Sequence, residues 1–479
     1  MVRRLDMKIL FCTSEAAPFA KTGGLADVLG ALPAALKKTG VDARVVMPYY
    51  KCVKEKFETE YVGYGYVDIA MRREYVGVYR AQANGVEFYF VDNERYFLRD
   101  GLYGHGDDGE RFAYFDLAVP EVMKIANFFP DVVHVNDWQT GLIPYILHKN
   151  YCDDPRFANM RTVLSIHNIQ YQGSFSTDMQ AILPIPYTSA LEHDGRINFL
   201  KTAIVECDYV TTVSPTYASE TLTEQYGYGL QSELNMRKDR FCGILNGIDV
   251  EKYNPETDAH ILPYPRRRFV TGKRANKKAL LQRMGMPSSN APLFGLVSRL
   301  ADQKGFDILM PVMEELILTT NANFVFVGSG EGCYENFFRL LCRKYPDRFA
   351  IYVGYSDDLA QMVYAASDVF LMPSKFEPCG LGQMIAMRYG SLPLVRETGG
   401  LKDTVAPYNK FTHAGNGFSF YGYSAAELKE VARLAVDLYN DNQKDFRKLV
   451  RNAMKKAFSW ETSAEKYKEI YTMILGGNV

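Results

Sequence analysis

The feature that most restricts this chain is a recurring unit: a short, almost unbroken apolar run followed by an amphipathic stretch. The first half carries "KILFCTS", "ARVVMPY", "VEFYFVD", "DVVHVND", "RTVLSIHN", "YVTTVS" and "FCGILNG". After position 290 the rhythm restarts with "LFGLVSRL", "NFVFVGSG", "FAIYVGY", "DVFLMPS" and "LPLVRE". Strands that are apolar at successive positions must be covered on both faces, which is the condition of a parallel sheet flanked by helices. Helical patterns such as "LADVLGALPAALKKTG", "FDILMPVMEELILTT" and "GLGQMIAMRYG" fill the intervals. Two such series predict an α/β chain of two doubly wound domains. The rhythm breaks at 251–290, where "NPETDAHILPYPRRRFVTGKR" is polar and proline-bearing, so the interdomain connection is placed near 248–260. Within it "PRRR" reads either as a phosphate contact or as a solvated charge run. The Tyr- and charge-rich segment 49–82 reads as an antiparallel excursion from the first sheet, residues 1–6 as a short leader, and "WETSAEKYKEIYTMIL" as a closing helix.

Bulk properties exclude several classes. Of the 479 residues, 55 are Lys or Arg and 56 Asp or Glu, a net charge of −1, so no global field recruits nucleic acid or anionic lipid. Anion binding has to come from local sites. The eight cysteines form no CxxC pair, which argues against a zinc site or a disulfide framework and fits reduced thiols in a cytoplasmic protein. No apolar run reaches the ~18 residues a membrane span requires. No Asp-x-Asp triplet is present, so no metal is expected on a diphosphate.

In open α/β sheets ligands bind beyond the carboxyl ends of the strands, and the unusual residues collect there. "KTGGLADVLG" (21–30) puts Lys21, Gly23 and Gly24 where the first strand hands over to a helix. Glycines that let the backbone approach and turn, a helix amino terminus and a cation together suit an anion such as a pyrophosphate. The alternative is a glycine turn with a surface lysine. The stretch is neither the GxGxxG dinucleotide fingerprint nor a P-loop, whose lysine follows its glycines. Two other strands finish in Asn136-Asp137-Trp138 and in His167-Asn168, groups suited to sugar hydroxyls; structural hydrogen bonding is the competing reading for each. In the second half Arg299 and Lys304 share one strand-to-helix corner, where two cations can neutralise a diphosphate. "VGSGEG" (327–332) is a glycine-rich turn able to pass close to a nucleotide. "PSKFEPCGLGQ" (373–383) and "RETGGLKDTV" (396–405) set Glu377 and the pair Gly399-Gly400 in further loops.

Taken in order, "KTGGLADV", "HNIQYQG", "SRLADQKG", "FEPCGLGQ" and "TGGLKDTV" closely resemble the bacterial glycogen synthases and plant starch synthases, over nearly the whole chain from about Met7. The resemblance implies a GT-B architecture: a Rossmann-like acceptor-side domain over 1–250, a Rossmann-like donor-binding domain over 251–458, a deep cleft, and a helix over 459–479 that returns to the first domain. It implies transfer of glucose from ADP-glucose to the non-reducing end of an α-1,4-glucan with retention of configuration, without a cofactor. It further implies that Lys21 meets the donor, that Arg299 and Lys304 stabilise departing ADP, and that Glu377 is the essential loop glutamate. Cys379, Gly380 and Leu381 correspond to its donor-contacting neighbours. Thr398, Gly399 and Gly400 correspond to a phosphate-facing loop, His167 to a histidine near the glucosyl group, Asp137 to a sugar contact and Asn246 to a glucose-hydroxyl contact. Glu15 corresponds to a cleft residue. Gly382 and Lys402 depart from common Thr/Ser and Ala, beside the donor loops. Rival readings are a retaining GT-B enzyme using UDP-glucose or a small acceptor, and a non-catalytic glucan-binding relative.

Overall fold

In a computed structural model that describes residues 7–476, the chain divides into two compact units. The leader read at residues 1–6 lies outside the described residues. Unit 1 runs to Gly247 and takes up the chain again from Trp460; unit 2 is Ile248–Ser459. The expected divisions at 250 and 458 thus fall at 247/248 and 459/460. The reason is local: the two connecting segments run side by side, with Ile248 N–H donating to the Phe458 carbonyl at 2.7 Å.

Unit 1 is built on β1 (Lys8–Cys12), β2 (Asp42–Pro48), β3 (Glu60–Ile69), β4 (Arg72–Ala83), β5 (Val86–Asp92), β6 (Val132–Asn136) and β7 (Arg161–Ile166). A small antiparallel sheet follows, from β8 (Ser174–Phe175), β9 (Glu192–His193) and β10 (Arg196–Asn198). The main sheet is completed by β11 (Tyr209–Thr212) and β12 (Phe241–Gly243), in the order β12-β11-β7-β6-β1-β2-β5-β4-β3. It is parallel from β12 to β5 and antiparallel at β5-β4-β3, the excursion read from 49–82. Every residue of β6 is buried, as a strand apolar on both faces demands. In β3, at the sheet edge, Gly63 and Gly65 turn toward Ile125 of the helix Asp108–Ile125, while Tyr61, Tyr64 and Tyr66 stay exposed.

The helix Trp460–Ile474 packs on the helix Gly24–Lys38 and completes unit 1. Polar groups fix its position. Tyr471 hydroxyl meets His134 Nδ1 at 2.7 Å, His134 Nε2 meets Ser165 Oγ at 2.7 Å, and Ser165 Oγ meets Thr211 Oγ1 at 2.7 Å. One buried chain of hydrogen bonds therefore ties the helix to β6, β7 and β11. Burial pushes the His134 imidazole down to about 3, so it sits there neutral.

Unit 2 holds β13 (Leu293–Val297), β14 (Asn323–Gly328), β15 (Phe349–Val353), β16 (Val369–Met372), β17 (Leu392–Arg396) and β18 (Phe418–Phe420). They form one parallel sheet, β15-β14-β13-β16-β17-β18. The chain order reverses at β1/β6 in unit 1 and at β13/β16 in unit 2, the points where such sheets open a crevice for ligands. Among the described residues no helix is long and apolar enough to cross a membrane.

Because Tyr471 is fully buried and supplies the partner of His134, Tyr471→Phe is expected to cost ~1–3 kcal/mol through the orphaned imidazole. Tyr471→Ala is expected to cost ~3–5 kcal/mol through the added cavity. Urea unfolding of the full chain measures both.

Candidate active site

In unit 1 the turn after β1 is set by Glu15. Its buried carboxylate accepts from the Thr22 backbone N–H at 2.6 Å and the Thr22 hydroxyl at 2.7 Å, which draws the chain back ahead of the helix Gly24–Lys38. Burial pushes this carboxyl up despite those bonds. Lys21 Nζ reaches Asp27 Oδ1 at 2.6 Å with both groups partly exposed, a pairing that solvent makes weak and that an incoming anion can displace. The expectation that Gly23 and Gly24 create a sharp turn is corrected. Gly23 is extended at φ −152° and Gly24 begins the helix, so neither uses the left-handed region. A Cβ on Gly24 meets nothing within 4 Å, and one on Gly23 meets only Glu15 Oε1 at 3.7 Å. Their effect is to leave the helix mouth uncovered.

Beyond β6 and β7 the geometry is tighter. Asp137 sits at φ 56° and ψ −172°, a region L-residues rarely occupy, and strain of this kind collects at functional sites. The His167 backbone N–H donates to Asp137 Oδ1 at 2.7 Å, and the Asp137 backbone N–H donates to the Ser165 carbonyl at 3.0 Å. Burial of the carboxyl pushes Asp137 up to about 7. Burial pushes His167 down to about 3, so its ring is neutral. Asn136 decides which tautomer it holds. The Asn136 amide donates to the carbonyls of Cys12 and His134, which turns its Oδ1 toward His167 Nε2 at 2.9 Å. Nε2 therefore carries the proton and Nδ1 is left as an acceptor. Asn246 is buried, and among the described residues its Oδ1 has no partner, which leaves an acceptor suited to a ligand hydroxyl. Asn168 Oδ1 caps a local turn by accepting from Gln170 N–H at 3.1 Å. Trp138, expected at a sugar, is half-buried and takes part in an aromatic cluster. Its ring packs on Phe112, Phe175 and Phe199 at 5.1, 5.6 and 6.2 Å, and a Cβ on Gly173 would lie 2.3 Å from it.

In unit 2 the expected cations converge. Arg299, Lys304, Glu377, Gly380 and Leu381 line one pocket of about 190 Å³ at the carboxyl ends of β13 and β16. Glu377 is buried, and Lys304 Nζ and Ser374 Oγ both donate to its Oε2, at 2.7 and 3.0 Å. Arg299 is exposed on the pocket wall. The helix Phe306–Thr319 starts at the same pocket through Phe306 and adds its amino-terminal partial charge. Gly382 also lines it; a Cβ there would meet Phe370, Met372 and the Tyr364 hydroxyl at 3.2–3.5 Å.

Thr398, Gly399, Gly400 and Cys379 are buried and serve the Glu377 loop directly. Gly400 N–H donates to the carbonyls of Glu377 and Pro378, both at 3.2 Å. Gly399 is at φ 43°, and a Cβ on it would stand 1.9 Å from the Glu377 carbonyl oxygen. The turn "VGSGEG" has a structural use for its glycines. Gly328 and Gly330 are needed because Ser298 and Leu300 carbonyls pass 1.9 and 2.2 Å from where their Cβ atoms would be, a close approach within the chain itself. Sequence reasoning passed over Thr22, Asn136 as the setter of His167, Ser374, and Arg396, which donates to the Ser374 carbonyl at 2.9 Å. The signal for Ser374 was present: a hydroxyl three residues before a loop glutamate.

Comparison with known proteins bears on this arrangement. Residues 8–236 match the family model described as the starch synthase catalytic domain, and residues 284–456 match glycosyl transferases group 1. The chain is 45% identical to a glycogen synthase of Acholeplasma laidlawii, covering 99% of this chain and 100% of that one. It is 46% identical to a glycogen synthase of Streptococcus agalactiae, covering 98% and 100%. Among solved structures, the catalytic domain of starch synthase IV from Arabidopsis thaliana, bound to ADP and acarbose, superposes with a TM-score of 0.89 at 32% identity over 98% of this chain and 100% of that one. A sucrose-phosphate synthase from Thermosynechococcus elongatus shares the fold, with a TM-score of 0.63 at 15% identity over 98% and 99%.

The Asp137 and His167 shifts carry opposite pH signatures. Between its ordinary value near 4 and about 7, Asp137 keeps in the folded chain a proton that the unfolded chain loses, so its contribution to stability falls as pH rises. His167, lowered from 6.5 to about 3, makes stability rise with pH over that interval. Asp137→Asn removes only the first term. Its stability relative to the parent, from urea unfolding at a series of pH values, is expected to climb from pH 4 to 7 and level off above.

Proposed function

The chain belongs to the family of the glycogen and starch synthases, and on that premise we propose that it transfers glucose from ADP-glucose to the non-reducing end of an α-1,4-glucan, with retention of configuration. The observation that carries the reading is the gathering of Arg299, Lys304 and Glu377 on one pocket at the switch point of the unit 2 sheet. The ADP and acarbose held by the starch synthase relative support the choice of nucleotide and acceptor.

Arg299 and Lys304 stabilise the negative charge that builds on the diphosphate as the glucosyl bond breaks, assisted by the amino terminus of the helix Phe306–Thr319. Arg299 is free to clamp two phosphate oxygens, while Lys304 acts as a point charge held in place by Glu377. Glu377, with Lys304 and Ser374 both on Oε2, orients the donor and supports the positive charge that develops on the sugar ring. Gly380, Leu381 and Cys379 shape the loop around it, and Thr398–Gly400 brace that loop from behind. Lys21 is assigned to the donor as well. His167 Nδ1, the Asp137 carboxyl, Asn168, Glu15 and the open Oδ1 of Asn246 are assigned to sugar hydroxyls. The acceptor hydroxyl attacks on the face from which the diphosphate departs and passes its proton to a phosphate oxygen of the leaving group.

Incubation with ADP-glucose or UDP-glucose, each with glycogen or a small sugar phosphate as acceptor, tests donor and acceptor together. Transfer from ADP-glucose to glycogen is expected to dominate; preference for UDP-glucose or the small acceptor overturns the reading. Lys304→Ala and Arg299→Ala are each expected to lower kcat by ~10²–10³ with smaller changes in KM. Arg299 is exposed, so its replacement tests charge without disturbing the fold. Near-normal turnover in both variants contradicts the leaving-group assignment.

A further inference from the structure

The donor pocket is not the only polar cavity in unit 2. A second, of about 330 Å³, opens between the helices Phe269–Arg283 and Gln443–Lys455, at the opposite end of the sheet. Asp368 on its wall precedes β16, whereas Leu371 and Met372 at the end of β16, and Pro373 after it, line the donor pocket. Val369 and Phe370 lie between the two linings, with roughly 10 Å of strand from Asp368 to Leu371. Its size falls within the ~300–1,000 Å³ typical of small-molecule sites.

The charges lining it are lopsided. Four cations, Lys273, Arg274, Lys277 and Arg447, face one carboxylate, Asp368. The chain itself uses three of these five groups. Lys277 Nζ pairs with Asp368 Oδ2 at 2.5 Å. Lys273 Nζ donates to the carbonyls of Ala365 and Tyr389 and to Ser391 Oγ at 2.9–3.2 Å. Arg274 and Arg447 are exposed, and among the described residues neither forms an ion pair. Two guanidinium groups without a carboxylate thus stand on facing helices over a floor whose one carboxylate is already taken by Lys277. The "PRRR" run adds to the same field: Arg266, Arg267 and Arg268 form the exposed turn that leads directly into the helix Phe269–Arg283. The remaining walls supply what a polar ring requires. Phe269, Tyr439 and Phe446 give aromatic surface, and Asn290 and Gln443 give amide groups.

We propose that this cavity is a binding site for a small organic phosphate, with Arg274 and Arg447 clamping the phosphoryl group and the aromatic and amide walls holding its ring. Guanidinium forks match phosphate geometry bidentately, and a site desolvated on one side by Phe269 and Phe446 strengthens those bonds. The site owes nothing to the transferase chemistry, since none of its lining residues belongs to the donor pocket.

Calorimetric titration of the full chain with ribose 5-phosphate and with inorganic phosphate, in buffer free of sulfate and phosphate, tests this. Because the donor pocket also attracts phosphate, the titration is run in two backgrounds, the parent and Arg299→Ser/Lys304→Ser. In the second background binding of ribose 5-phosphate is expected to persist, and adding Arg274→Ser/Arg447→Ser is expected to weaken it at least 10-fold. Ribose 5-phosphate is expected to bind at least 5-fold more tightly than inorganic phosphate. Unchanged binding in the Arg274/Arg447 variant, absence of binding in the second background, or equal affinities for the two probes overturns the proposal. Arg274→Ser/Arg447→Ser in the parent is expected to keep its melting temperature and its basal activity. Failure of the transferase reading appears separately, in the donor–acceptor assay.

Discussion

A buried carboxylate has to be neutralised where it sits, and in unit 2 that requirement organises everything around Glu377. An unpaired ionised group there costs several kcal/mol, so Lys304 and Ser374 are drawn onto the same oxygen. Holding them requires the loop itself to be held. Gly399 and Gly400 let the following helix press against the Glu377 and Cys379 carbonyls, and Arg396 braces the Ser374 carbonyl. Gln303, beside Lys304, donates to the Phe376 carbonyl at 3.2 Å, locking the two loops together. The outcome is a fixed lysine at a pocket mouth, with its orientation settled before any ligand arrives. Preorganisation of this kind is what electrostatic stabilisation of a leaving group needs.

The two units prepare opposite electrostatic surfaces from the same kind of sheet. At the strand ends of unit 2 the groups are cations, suited to phosphates. Beyond β6 and β7 of unit 1, away from the Lys21 turn, burial pushes the groups toward neutrality: His167 loses its proton and Asp137 holds one up to about pH 7. Neutral donors and acceptors in fixed orientation discriminate hydroxyl patterns through hydrogen bonds. Asn136 sets the His167 tautomer and Asn246 presents a buried acceptor, so these positions offer oriented hydrogen-bonding groups rather than charge.

Much of this was legible in the sequence because it depends on local pattern. Continuous apolar runs such as "DVVHVND" gave parallel, doubly covered strands, and the residues that break the pattern at their ends, Asp137, His167, Arg299 and Glu377, mark where the sheets open. What escaped depends on contacts distant along the chain. Glycine looks alike whether it bares a helix mouth, as Gly24 does, or admits a neighbouring carbonyl, as Gly328 and Gly330 do. Trp138 sits at a strand end, and the rings it packs on, Phe175 and Phe199, lie 37 and 61 residues further on. The link from His134 to Tyr471 spans 337 residues and leaves no local trace.

The central claim is that the charge of a nucleotide-sugar tail is met by Arg299 and Lys304 over the Glu377 loop. A crystal structure of the chain with ADP tests it most directly. The account predicts diphosphate oxygens within ~2.7–3.2 Å of the Arg299 guanidinium and Lys304 Nζ. Bound ADP whose phosphates touch neither side chain contradicts it.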